Sequence, residues 1–132
     1  MTRAAFRHLT QVYRHAPLLA RIHVMMRAQQ CPFESVARHV PPTGTVLDIG
    51  VGHGVFLHVL HREGKPRRLL GLDIADDKLR IARSTVRNGE NMEFYQGYLP
   101  AVPPEPVHCI SLMDSAYLIP DEQWLPLLDA LW

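Results

Sequence analysis

The sequence predicts an α/β protein in which a parallel sheet carries helices on both faces and follows a helical extension. Three observations lead to this prediction. Apolar residues recur at helical spacing before position 42, short β-branched runs alternate with helical segments after it, and glycines come directly after the first of these runs. Strands that alternate with helices along a chain favour a parallel sheet.

Length and composition fit one folded domain. The chain has 132 residues, of which 47% are hydrophobic and 20% charged, as is typical of globular proteins rather than disordered or fibrous ones. The N-terminus lacks a signal peptide's apolar region and cleavage site, and no apolar run approaches the roughly 20 residues of a membrane span. A cytoplasmic location is the default expectation. Cys31 and Cys109 have no second cysteine at metal-site spacing, which disfavours structural zinc.

Residues 1–42 are predicted to form a helical extension or substrate cap. Apolar side chains repeat every three or four residues on both sides of Pro17, and a third short helix ends before Pro41, because proline cannot donate the helical hydrogen bond. Six arginines stand against Glu34 alone in residues 1–40. A solvated helix face is the simpler interpretation of this charge. The functional interpretation is attraction of a phosphate-bearing substrate, a lipid, a membrane surface or an acidic carrier protein.

Residues 43–132 are predicted to form the α/β domain. Its four strands are expected at 45–49, 69–74, 92–95 and 107–113. Helices should follow the first two strands, the second of them capped by Asp76, and a last helix should begin at Asp121.

The first strand runs into a glycine-rich turn, Asp48-Ile49-Gly50-Val51-Gly52-His53-Gly54. In an open parallel sheet, ligands bind beyond the carboxyl ends of the strands, where this turn should lie. The three glycines remove β-carbons that would hold a ligand away from the backbone, and a helix beginning near His53 supplies free N–H groups. A tight turn that binds nothing is the alternative, but three alternating glycines exceed what turning requires.

A nicotinamide cofactor is the natural competitor for such a turn. Its fingerprint, Gly-x-Gly-x-x-Gly, would need glycine at position 55, where this chain has Val55. Asp48 precedes the first glycine by two residues, and an acid there suits a positively charged sulfonium better than a pyrophosphate. The turn therefore favours S-adenosylmethionine, and an NAD(P)-dependent oxidoreductase is the less favoured function.

The turn resembles the Asp-x-Gly-x-Gly-x-Gly signature of class I S-adenosylmethionine-dependent methyltransferases. This resemblance covers residues 33–132 and implies a Rossmann-like sheet of about four strands in the order 3-2-1-4, incomplete relative to the family's seven. It also implies that Asp73 binds the ribose hydroxyls, which two carboxylate oxygens can accept together, and that Ile74 packs on adenine. The alternative role of Asp73 is a helix cap, although Asp76 and Asp77 are better placed for capping.

Two further positions match the family pattern less closely. Where the family often has an acid after the third strand, this chain has Gln96-Gly97-Tyr98, so Gln96 or a backbone group, as at Gly97, is expected to contact adenine instead. After the fourth strand, Asp114 either lies beside the cofactor's methionine part or caps a turn. The Asn/Asp-Pro-Pro-Tyr/Phe motif of amino methyltransferases that act on nucleic-acid bases is absent, so no nucleic acid is expected as a partner.

No metal site and no covalent nucleophile are expected. His53, His58 and His61 are close in sequence, but no carboxylate or cysteine completes a ligand set, and surface or helix-end histidines are the simpler interpretation. Methyl transfer needs no nucleophilic side chain. The sulfonium already activates its methyl group, so the protein must place the acceptor about 3 Å away and exclude water.

The predicted strand order leaves the fourth strand as an unprotected edge. A truncated sequence, a deliberate fragment, or a short protein that completes its sheet with a partner or a second copy would each explain this edge. Truncation is favoured, because the apolar residues from Trp124 to Trp132 would be buried in a complete domain. The leading hypothesis is methyl transfer from S-adenosylmethionine to a small molecule, including a lipid or carrier-bound acyl chain. A non-catalytic interaction or regulatory fragment is the alternative.

Overall fold

The computed structural model of the protein describes residues 1–97, 106–113 and 120–131. The helices in these ranges are α1 Arg3–Val12, α2 Leu18–Gln30, α3 Phe33–Ala37, α4 Val55–Arg62, α5 Asp76–Ser84 and α6 Asp121–Leu131. The strands are β1 Gly44–Ile49, β2 Arg67–Asp73, β3 Met92–Gln96 and β4 Cys109–Ser111.

The four strands form one parallel sheet in the order β3-β2-β1-β4, which confirms the predicted fold class and strand order. The apolar run of β1 is buried, as a strand covered on both faces requires. β4 is shorter than predicted, since pairing with β1 is confined to Cys109–Ser111. The pairing of β1 with β4 does not extend to Thr45, because the Thr45 N–H donates to the imidazole of His108 at 3.1 Å rather than to a backbone carbonyl.

The helical extension packs into the same core as the sheet and α4. Leu9 and Val24 are fully buried in this core, and the rings of Phe33 and Phe56 stack with centroids 5.8 Å apart. Burial of these apolar side chains is the main force that holds α1 to α3 against the α/β part.

A buried arginine fixes the end of the extension to β2. The guanidinium of Arg67 donates to the carbonyls of Pro41 at 2.7 Å and Val40 at 3.0 Å, and it pairs with Glu63 at 2.6 Å. A buried guanidinium is tolerated only when its charge and donors are satisfied in this way. Arg67 therefore determines where the chain crosses from the extension into the sheet.

The predicted cap of α5 is wrong. Its N-cap is Ala75, which makes no side-chain capping bond, and Asp76 is the first helical residue. Asp76 and Asp77 instead place negative charge in the first turn, where the helix dipole favours it. Asp76 also pairs with Arg80 at 3.2 Å.

The edge of the sheet at β4 has no partner strand on its outer side among the described residues. None of the helices in the same ranges combines the length and the apolarity that a membrane crossing requires.

Candidate functional site

The glycine-rich turn leaves the carboxyl end of β1 and leads into α4, which begins at Val55. Gly50, Gly52 and Gly54 have φ angles of 71°, 55° and 84°, a left-handed conformation that side chains disfavour. At Gly54, an added Cβ would lie 2.9 Å from the Phe94 ring, so packing also requires glycine. At Gly52, an added Cβ would meet only the Lys78 side chain, at 4.0 Å. The space above Gly52 is therefore open.

Hydrogen bonds hold this turn against the carboxyl end of β2. The Gly50 N–H donates to the Leu72 carbonyl at 2.8 Å, and the Gly52 N–H donates to Oδ2 of Asp73 at 2.7 Å. Oδ1 of Asp73 accepts the N–H of Ala75 at 2.9 Å, just before α5. Asp73 is partly exposed and lies at the rim of the turn. Its carboxylate thus joins the two strand ends that the sequence singled out.

Gly71, in the middle of β2, allows the turn to pack closely on the sheet. An added Cβ would lie 2.7 Å from the Phe94 ring and 2.8 Å from the buried Val51 side chain. This residue was not among the predicted site residues. A glycine inside a buried strand is the signal that could have indicated it, because such a glycine often marks a close approach.

Asp48 lies inside the sheet rather than at the rim. It is 2% exposed, and its Oδ1 accepts the hydroxyl of Ser111 on β4 at 2.7 Å. The backbone N–H of Met113 also donates to it. Burial raises the pKa of Asp48 to about 7, although both hydrogen bonds favour the charged form. Asp48 therefore ties β1 to β4 directly beside the turn, a contact that the sequence did not indicate.

The carboxyl ends of β2 and β3 bring three more predicted residues to this region. Ile74 is 55% exposed, and the Gln96 side chain donates to its carbonyl at 3.2 Å. The Gly97 N–H donates to the Asp73 carbonyl at 3.0 Å. The structure thus groups Ile74, Gln96 and Gly97 around Asp73. Asp114 lies outside the described residues.

The helical extension also contacts the turn. The hydroxyl of Tyr13, the C-cap of α1, donates to the His53 carbonyl at 2.5 Å, and the His53 ring lies 5.2 Å from the His23 ring of α2. Burial lowers the pKa of both histidines, and the charge of nearby Lys78 adds to the effect. Tyr13 and His23 were not predicted as site residues, because helical periodicity marks Tyr13 only as a core position.

The other clustered histidines have separate surroundings. Nε2 of His58 lies 2.7 Å from the Thr85 hydroxyl, and burial lowers the pKa of His58 to about 3. His61 lies 3.5 Å from Glu90. Within the described ranges, no group of three or more histidine, cysteine or acidic side chains is arranged to hold a metal ion.

Comparisons with known proteins agree with this geometry. The methyltransferase domain family matches residues 46–132. A search of curated proteins gives no match. Among solved structures, an S-adenosylmethionine-dependent methyltransferase from Aquifex aeolicus is 19% identical, with a TM-score of 0.63. The alignment covers 93% of this chain and 66% of that protein.

Two further structures show the same likeness. The plantazolicin methyltransferase BpumL, solved with S-adenosylhomocysteine (SAH) and a pentazolic desmethylPZN analogue, is 18% identical over 96% of this chain and 52% of its own, with a TM-score of 0.63. A methyltransferase from Mesorhizobium loti is 19% identical over 74% of this chain and 46% of its own, with a TM-score of 0.59. The chain thus spans about half the length of these last two proteins. It belongs to the methyltransferase domain family and has the fold of class I S-adenosylmethionine-dependent methyltransferases.

Proposed function

We propose that the glycine-rich turn binds S-adenosylmethionine and that the protein transfers its methyl group to a small-molecule acceptor. One observation carries this proposal: the hydrogen bond from the Gly52 N–H to Asp73. It joins a turn with open space above it to an acid at the end of the next strand. A single ligand with a ribose and a charged amino-acid part would need both features side by side.

Asp73 has the remaining capacity to bind the ribose. An ionised carboxylate offers about four acceptor sites, and the N–H groups of Gly52 and Ala75 use one on each oxygen. The two free sites can accept the two ribose hydroxyls. In the same proposal, the exposed side chain of Ile74 packs on adenine, and Gln96 with the backbone of Gly97 lies at the edge of the base.

The turn itself holds the methionine part, with Gly50, Gly52 and Gly54 giving the backbone access to it. Because the pKa of His53 lies below its usual value, its imidazole is mostly neutral at pH 7 and does not repel a positively charged cofactor. Asp48 supports the turn from inside the sheet, and we assign Asp114 to the same end of the ligand. The bound cofactor supplies an activated methyl group, and these residues hold and orient it.

A pair of glycine variants tests where the cofactor binds. Gly52 and Gly64 have φ angles of 55° and 67°, and neither has a close neighbour at the Cβ position. Replacement by alanine should therefore lower the free energy of unfolding by a similar amount at each position, about 1 kcal/mol. Titration calorimetry should show that Gly52→Ala weakens SAH binding at least tenfold, because the added methyl enters the open space. Gly64→Ala should leave the affinity unchanged.

The unmodified chain should bind SAH and not NADH. Binding of NADH without SAH would overturn the cofactor assignment. If SAH binds but both glycine variants bind it equally well, the cofactor does not lie over Gly52, and the proposed site is wrong.

A further inference from the structure

The groove between α1 and α2 is a second concave surface, which the proposed function leaves unused. Two depressions form it, with volumes of about 410 and 320 Å³. Gln29 lines both, so the two depressions adjoin. Sites for small molecules usually have volumes in this range. Tyr13 connects the groove to the proposed cofactor site, because it lines the second depression and donates to His53.

The second depression has apolar walls that remain exposed to water. Leu18, Ile22 and Met26 follow each other at intervals of four residues on α2, and 67%, 49% and 54% of their surfaces are exposed. This spacing gives a continuous stripe along the helix, and Met25 lies beside it. An apolar ligand would remove this surface from water, which stabilises a complex by about 25 cal/mol per Å².

The charged side chains that line the groove are all arginines, and Glu34 lies next to it, where its carboxylate accepts from Thr2. Residues 1–33 contain five arginines and neither aspartate nor glutamate. Arg3 and Arg7 line the first depression, and Arg21 lines the second. None of these three forms an ion pair with a described residue. Because Arg3 and Arg7 are one helical turn apart, two guanidinium groups share one depression, and an anion between them would relieve their repulsion.

We infer that the groove binds a single-chain anionic amphiphile, a fatty carboxylate, with its head group at Arg3 and Arg7 and its chain against Ile22 and Met25. The ten residues of α1 give the groove a length of about 15 Å, enough for a medium-length chain. An open groove between two helices has the width for one chain, whereas a bilayer would contact the most exposed ridge, at Leu19. This site does not depend on cofactor binding.

Titration with sodium laurate below its micelle concentration tests the inference. Calorimetry should show saturable binding of one laurate per chain. In ¹³C-methyl spectra, the methionine methyl groups of Met25 and Met26 should shift, while that of Met92, buried in the core, should not. Dodecyltrimethylammonium has a similar chain and the opposite charge, and it should bind at least tenfold more weakly.

Arginine variants separate the charged site from general hydrophobic binding. Arg3→Gln with Arg7→Gln should weaken laurate binding at least tenfold, whereas Arg80→Gln, an exposed arginine of α5, should not. Ile22→Gln should weaken it without changing the head-group site. Thermal melting confirms that each variant folds. Equal binding of the two amphiphiles, an unaffected arginine double variant, or binding only to vesicles of phosphatidylglycerol would overturn the inference. None of these three results would contradict the proposed binding of SAH.

Discussion

Two aspartates near the ends of neighbouring strands, Asp48 on β1 and Asp73 on β2, have opposite surroundings. Asp48 is 2% exposed and accepts the hydroxyl of Ser111 on the next strand. Asp73 is partly exposed and accepts the N–H groups of Gly52 and Ala75. The first carboxylate holds two strands together, while the second orders the turn and keeps the acceptor sites to which we propose that the ribose binds.

The register of the sheet explains this difference. Asp48 is aligned with Gly71 on one side and Ser111 on the other, so neighbouring strands cover it. Asp73 is the last residue of β2, and within the described part of the sheet it is aligned with Gln96 at the end of β3 and with no residue of β1. Asp48 thus lies between two strands and has a structural role, whereas Asp73 lies at a strand end, where it is a candidate for binding a ligand.

The largest expected effect is on the pH dependence of stability through Asp48. Its folded pKa is about 7 and its ordinary value 3.8, so the folded state keeps the proton between these values. The stability that Asp48 contributes is present below pH 4 and is lost as pH rises through 7. Urea unfolding at pH 4 and pH 8 should show that the wild type loses about 3 kcal/mol more than Asp48→Asn over this range.

His58 gives the free energy of unfolding the opposite pH dependence, but this contribution does not affect the comparison. Its folded pKa of about 3 means that stability falls as pH drops from 6.5 towards 3. Both proteins keep His58, so its contribution cancels in the difference between them. If the difference between wild type and Asp48→Asn were flat across this range, Asp48 would have the same pKa in the folded and unfolded states, and the contrast with Asp73 would fail.

The next largest effect should be on cofactor affinity through Asp73. Asp73→Ala removes a carboxylate proposed to accept two ribose hydroxyls, and hydrogen bonds to charged groups contribute about 1.5–3 kcal/mol each. SAH affinity measured by calorimetry should fall about 100-fold. Asp76→Ala, which removes an exposed acid three residues later, should change it less than twofold. Unchanged affinity in Asp73→Ala would refute the ribose role.

Local patterns were enough to predict the framework of this site. The glycines at 50, 52 and 54 form one such pattern, and the apolar runs of β1 and β2 form two others. Each of them spans only a few consecutive residues. Parallel strands then place their carboxyl ends at one edge, which is why the contact between the turn and Asp73 agrees with the sequence. The strand order followed from the resemblance and is confirmed.

Contacts between distant segments were not predictable in the same way. The bonds from Ser111 to Asp48 and from Tyr13 to His53 join residues 63 and 40 positions apart, and no local pattern encodes their alignment. The predicted cap at Asp76 failed for a related reason. Asp73 accepts the N–H of Ala75 just before the helix, so α5 begins one residue earlier than the predicted cap requires, and Ala75 at its N-cap has no side chain that can accept a hydrogen bond.

A smaller effect is expected from the partner of Asp48. Ser111→Ala removes a buried hydrogen bond and should reduce the free energy of unfolding by about 1 kcal/mol. Because this bond lowers the pKa of Asp48, its loss should raise that pKa further. Urea unfolding across the pH range measures both changes. Ser84→Ala is the control, since the exposed Ser84 hydroxyl donates only to a carbonyl of its own helix. Equal effects of the two variants would remove the strand-joining role of Asp48.

The smallest expected effect is on SAH affinity through Ile74, the apolar neighbour of Asp73 at the carboxyl end of β2. Ile74 is 55% exposed, so Ile74→Ala should change the free energy of unfolding by less than about 0.5 kcal/mol. If its side chain packs on adenine, SAH affinity should fall about threefold, since part of the apolar contact is lost. Leu18→Ala, at a position 67% exposed in the α1–α2 groove, should leave SAH affinity unchanged. If Ile74→Ala and Leu18→Ala bound SAH equally well, the Ile74 side chain would not touch the ligand. The contribution of the β2 end to SAH binding would then come from the carboxylate of Asp73.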